Sequence, residues 1–341
     1  MSQRNVMVMI RHAPCPSFAG ALIIALSAGW IGCAPARQPL PEALRAPEVT
    51  QSEEQASDID YAATYMNLGT EFYDQGRYAD AIDQYRLALE INPYSDEAHA
   101  SIGMCQYKLG KKDLADASFR RALRLNPRNV LARNGIALIT DNDRERAESL
   151  EAALAYNPNV PELRNNLCYA YVQRGDYEQA VAECRASIQL DTANANAHWN
   201  LGEAYRYQGR LDQALAEYEI ALRLNPNWAR VLNNMGLVYY YKSQFSAAIE
   251  RYQQAIAADG TEPIFHYNLA LAYEAVASRL QAYEQRGESP RGLYGIERNS
   301  DWRTLYRQAA DHLRTYLNMQ PNAPDAVRVQ GKINELRRRA S

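Results

Sequence analysis

Phenylalanine is scarce in this chain, with five against twenty-four tyrosines. Neither sign of charge is in excess: 37 Lys and Arg face 40 Asp and Glu. No basic stripe argues for nucleic acid. The chain has no glycine-rich phosphate loop, no His-Glu-x-x-His pair and no nucleophile elbow, so it carries no familiar set of nucleotide-binding or hydrolytic residues. Its longest apolar run, Phe18 to Ile31, holds 14 residues. A membrane-spanning helix needs about 20. Cysteine is also sparse, at positions 15, 33, 105, 168 and 184.

What the chain does have is repetition, the first property to test in any sequence. "WNLGEAYRYQGRLDQALAEYEIALRLNP", Trp199 to Pro226, has near copies on both sides. The closing prolines and their stand-ins fall at Pro93, Pro127, Pro158, Thr192, Pro226 and Gly260, in steps of 34, 31, 34, 34 and 34. Each copy holds two apolar runs at i, i+3, i+4, i+7 spacing, which predicts two amphipathic helices. Small residues recur where those helices must approach, including Gly69, Gly103, Ala137, Cys168, Gly202, Gly236 and Ala270. Large ones fill the remaining space, including Tyr85, Phe119, Tyr218 and Tyr252. Repeat positions therefore account for most of the tyrosine.

The pattern resembles the tetratricopeptide repeat (TPR) family. That resemblance implies an all-α, right-handed superhelical solenoid of about seven helical hairpins with a C-terminal capping helix. The repeats are placed at 62–95, 96–129, 130–160, 161–194, 195–228, 229–262 and 263–322. The third is three residues short and carries "DNDRERAES" at its turn. The seventh is interrupted by an insertion at about 285–300. Residues 323–341 form the cap and tail, because the last hairpin of a stack needs a more polar cover.

The first sixty residues differ in kind. Arg4 and Arg11 precede the apolar run, which ends at Gly32-Cys33 and gives way to a Pro-, Ala- and acid-rich tether over 33–60. The run has the length of a signal segment. A small residue before cysteine is similar to the lipobox of bacterial lipoproteins, although Trp30 stands where leucine is usual. The resemblance implies cleavage after residue 32 and acylation (palmitate included) of Cys33. Loss of Arg4 and Arg11 leaves 35 basic residues against 40 acidic. In that family Ala34 suits the outer membrane, periplasmic face, if the organism has two membranes.

The resemblance also implies a concave wall lined by first helices. The candidate peptide-binding residues are an asparagine ladder, Asn67, Asn166, Asn200, Asn234 and Asn268, with rings from Tyr73, Tyr107, Tyr169, Trp199, Tyr207, Tyr240, Tyr241 and Tyr267. The ladder resembles that of the repeat domain of O-linked N-acetylglucosamine transferases, where amides hold an extended peptide. An amide offers both a donor and an acceptor, as a backbone does. The lysine-and-arginine carboxylate clamp of other family members is not expected, because Arg230 is the only cation well placed and Asn234 stands where the second would be; Arg230 counts among the groove residues. His99, His198 and His266 share one repeat position but lie two to five repeats apart, too far for a single metal ion. Cys168 and Cys184 sit on opposing helices of repeat four, and their spacing places them about one helical turn out of register for a bridge.

The expectation is a non-enzymatic, lipid-anchored scaffold. It takes a protein partner, no cofactor, no metal and no nucleic acid, and a homo-oligomer is an open possibility. Its architecture is similar to type IV pilus pilotins. An adaptor for cell-wall hydrolases or outer-membrane protein assembly is the alternative, and an enzyme sited in the groove the weakest reading.

Overall fold

The chain divides into two units, Met1–Thr50 and Gln51–Ser341. The computed structural model describes residues 51–288, 295 and 300–341. The signal segment, Cys33, the tether up to residue 50 and most of the 285–300 insertion lie outside the described residues.

The second unit is an all-α superhelical solenoid, with fifteen helices and no strand among the described residues. Six hairpins follow in order: α1 Gln51–Asp74 with α2 Tyr78–Ile91; α3 Asp96–Lys108 with α4 Lys112–Leu125; α5 Val130–Ile139 with α6 Asp143–Tyr156; α7 Pro161–Arg174 with α8 Tyr177–Leu190; α9 Ala195–Tyr207 with α10 Leu211–Leu224; α11 Ala229–Tyr241 with α12 Phe245–Ala258. A long α13, Pro263–Gln285, pairs with α14, Trp302–Met319, and α15, Ala326–Arg339, follows.

Local chemistry sets these boundaries. Four first helices end at a glycine in the left-handed region: Gly76 at φ +75°, Gly110 at +73°, Gly175 at +87° and Gly209 at +75°. In the sixth hairpin Ser243 takes that place at φ +58°. A side chain there crowds its own backbone, which glycine avoids. Ser243→Gly is therefore expected to stabilise the chain by about 0.5 kcal/mol, read as a higher urea midpoint at unchanged slope.

The second helices of the six hairpins end at Asn or Asp, and at Asn92, Asn126, Asp191 and Asp259 the side chain accepts from the amide two residues on. Asn126 Oδ1 takes Arg128 N at 2.9 Å and Asp191 Oδ1 takes Ala193 N at 3.0 Å. Three of the next first helices then start on a capping oxygen, from Ser95, Asn129 and Asn194, the last accepting from Ala197 N at 3.1 Å. The charged run of the third hairpin is helical, because Asn142 caps α6 by accepting from the amides of Arg144 and Glu145.

In four of the hairpins a glycine of the first helix meets a ring of the second. A Cβ added at Gly202 would lie 2.5 Å from the Tyr218 ring, and one at Gly236 would lie 2.6 Å from Tyr252. Gly69 with Tyr85 and Gly103 with Phe119 repeat the arrangement. Missing β-carbons thus let rings fill the crossing, where Tyr218 and Phe119 are fully buried. In the fourth hairpin a disulfide joins Cys168 to Cys184 at that same crossing, with Cα atoms 5.3 Å apart. This corrects the register expected from sequence. The pair is 16 residues apart, the separation that brings Gly202 onto Tyr218 and Gly69 onto Tyr85.

Candidate protein-binding wall

The candidate residues stand on the first helices of every hairpin except the third. The asparagines bond from hairpin to hairpin. Asn166 Nδ2 donates to Asn134 Oδ1 at 3.1 Å, Asn200 Nδ2 to Asn165 Oδ1 at 2.9 Å, and Asn268 Nδ2 to Asn233 Oδ1 at 2.9 Å. In each case the acceptor is the residue one position earlier in the preceding hairpin. In the fifth hairpin that position holds Trp199, which has no acceptor, and Asn234 Nδ2 turns to Glu203 Oε1 at 2.8 Å. The ladder thus fastens neighbouring hairpins, and part of its donor capacity is used in doing so. In the third hairpin Gly135 replaces the ladder asparagine, because a Cβ there would lie 2.3 Å from the Phe119 ring. Asn67, at the start of the wall, is exposed, and Asn200 is buried at 4% exposure.

Asn234 belongs to a buried charged cluster that the sequence did not reveal. Glu203 accepts from Arg206 Nη2 at 2.7 Å and Nε at 3.2 Å, and also from the Tyr218 hydroxyl. Both charged side chains are largely enclosed. Burial works against the Arg206 guanidinium, and the Glu203 carboxylate outweighs it, so its pKa is raised. Burial, with Glu203 beside it, also pushes the Tyr218 hydroxyl well up, so it remains a donor.

The rings form pairs along the wall. Tyr207 stacks on Tyr177 at 5.1 Å, and the Arg206 guanidinium lies 4.0 Å from the Tyr207 centroid on account of its ion pair. Trp199 and Trp228 are 5.3 Å apart. Tyr240 meets Tyr241 at 6.3 Å and Phe245 at 5.4 Å. Tyr267 packs on Tyr316 at 5.3 Å, and Tyr73 is edge-on to Tyr78 at 5.3 Å. Tyr107 packs against the core around Phe119. Tyr169 and Tyr241 are the most open of the set, at 37% and 46% exposure. Burial raises the pKa of Tyr240 and Tyr267. Arg230 is engaged by Glu262 at 3.0 Å.

Sequence reading passed over Tyr177, Phe245 and Trp228. Tyr78, Tyr177 and Phe245 share one repeat position at the start of a second helix, a periodicity that could have singled out the first two. The histidines have protein partners. His198 Nδ1 lies 2.7 Å from Glu217, and His266 Nδ1 lies 2.9 Å from His312 Nδ1. Burial lowers the pKa of His99, His266 and His312. Among the described residues no group of three or more His, Cys, Asp or Glu is placed to hold a metal ion.

Family profiles described as tetratricopeptide repeat match residues 191–260 and 96–129, and a TPR repeat profile matches 69–110 and 168–205. The chain carries tetratricopeptide repeats. The TPR solenoid is similar to the peroxisomal targeting signal receptor of Kluyveromyces lactis, 34% identical over 101 residues that make up 28% of this chain and 18% of the receptor. The chain spans only 13% to 30% of the first curated relatives it matches. Among solved structures, a tetratricopeptide repeat protein from Parabacteroides merdae superposes with a TM-score of 0.53 at 15% identity, covering 82% of this chain and 99% of that one. PilW, a widely conserved type IV pilus biogenesis factor, superposes with a TM-score of 0.52 at 20% identity, covering 57% and 92%. At such identities the likeness concerns the fold. TPR solenoids bind protein partners, and this wall of rings and amides suits that use.

Proposed function

We propose that this chain is a non-enzymatic, lipid-anchored scaffold of the cell envelope whose inner wall holds an extended segment of a partner protein during pilus or secretion-complex assembly. The observation that carries it is the run of ring pairs from Tyr177 to Tyr267, each with at least one ring on a first helix and interleaved with asparagine amides. Large amphipathic rings make effective anchors. Magnitudes divide the labour. A few amide bonds at about 1 kcal/mol net each do not cover an association cost of roughly 4–15 kcal/mol. The rings supply most of the affinity, and the amides set the register. The pilus assignment draws on the solenoid architecture held in common with PilW. The anchor is Cys33, where more than one acyl chain gives stable attachment.

A photo-crosslinking residue at Tyr241, on the wall, is compared with one at Tyr94, a loop tyrosine that is 74% exposed. Crosslinking in envelopes is expected to join a discrete partner protein from Tyr241 and none from Tyr94. Equal labelling from both positions would refute the wall as the binding surface. For the anchor, metabolic labelling with a fatty acid is expected to mark the chain and to be lost in Cys33→Ser. An unlabelled chain that salt washes from membranes would end that part.

A further inference from the structure

We infer that oxidation of Cys168 and Cys184 completes the solenoid at its fourth repeat, so that the wall is continuous only once this bond has formed. The inference deepens the proposed binding role by naming a regulation of the same wall, and its structural content is tested without a partner.

Four other repeats fill the crossing with a ring set against glycine, as Gly202 and Tyr218 do. The fourth has two cysteines there, both fully buried. Their side chains together carry about half the heavy atoms of a tyrosine. As a disulfide they tie α7 to α8 covalently. As thiols the two sulfurs can no longer sit at bonding distance, so the crossing must widen to hold them and the covalent tie between α7 and α8 is lost, and both changes are destabilising.

The position of α7 makes that local loss felt along the wall. Asn166 donates back to Asn134 of the third repeat, and Asn165 accepts from Asn200 of the fifth. Repeat proteins are held by nearest-neighbour interfaces, so a weak central repeat separates the two sides. The fourth repeat has three before it and three after.

The chemistry is thiol–disulfide exchange with a disulfide-bearing oxidant. One cysteine thiolate attacks a sulfur of the oxidant's disulfide and expels its other sulfur as a thiolate. The second cysteine thiolate then attacks the mixed disulfide. The Cys168–Cys184 bond forms, the oxidant takes up two electrons, and its two sulfurs take the protons the cysteines gave up. Cys105 is no competitor, because burial pushes its thiol up to about 11 and keeps it protonated. Once formed, the bond is shielded and exchanges only when the repeat opens.

The test is amide hydrogen exchange on the full chain in detergent, oxidised and after unfolding and refolding with a phosphine reductant. Protection in α7 and α8 is expected to fall on the order of a hundredfold in the reduced chain, while α11 and α12 keep theirs. The variant Cys168→Gly with Cys184→Tyr installs the pair used elsewhere. It is expected to hold α7 protection near the oxidised level whether or not reductant is present. Undiminished protection in the reduced natural chain would overturn the inference. So would a double variant as weakly protected as the reduced chain. The Tyr241 crosslink, repeated on reduced chain, is expected to weaken; an unchanged yield would overturn the regulatory part while leaving the binding role standing.

Discussion

Glu203→Ala is expected to cost about 3–5 kcal/mol of stability, the usual range for breaking a buried ion pair. Glu203 sits in the wall of the fifth repeat with 11% of its side chain exposed, and its partner Arg206 has 4%. Removing the carboxylate strands a buried guanidinium. It also leaves the Tyr218 hydroxyl and the Asn234 amide without the acceptor they share. An uncompensated buried charge costs more than the intact pair contributes, because desolvation is no longer offset. The same reasoning predicts rescue. Glu203→Ala combined with Arg206→Met removes both charges and is expected to recover at least about half of the loss. Denaturant unfolding of the two single variants and the double variant measures this. A double variant no more stable than Glu203→Ala would show that the charge is not the cause.

The second large effect concerns the helix crossing. Gly202→Val should destabilise by about 3 kcal/mol, because a β-carbon at this position would meet the Tyr218 ring at 2.5 Å. Tyr218 is fully buried and the far end of its ring is tied to Glu203, so it cannot swing aside. Gly76→Val provides a contrast. A Cβ there meets nothing within 4 Å, and its penalty comes only from a backbone at φ +75°. The two variants should differ in where protection is lost. Gly202→Val should loosen α9 and α10 together, and Gly76→Val should affect only the turn before α2. Equal hydrogen-exchange profiles would contradict the account of how the hairpins close.

Most of the fold is legible in the residues because both of its signals are local. Apolar positions at helical spacing specify two helices per copy, and a glycine, an Asn-Pro or an Asp ends most of them. The wall was legible only as a surface. Periodicity places Asn166, Asn200, Asn234 and Asn268 on one side of the first helices, but does not reveal which hydrogen bonds they make. Those bonds cross between hairpins 32 to 35 residues apart in three cases. The deviation of Asn234 to Glu203 follows from Trp199 occupying the position of the usual acceptor.

The sequence by itself determined the number of hairpins, their turns, and which residues are small or large at each crossing, since each depends on a residue and neighbours one or two turns away. Only the tertiary structure decided that Cys168 meets Cys184, that the asparagines fasten repeats to one another, and that Glu203, Arg206 and Tyr218 share one buried site. These depend on the angle at which whole helices cross and on what water can reach. Both are set by the sum of many weak contacts rather than by any one stretch of chain.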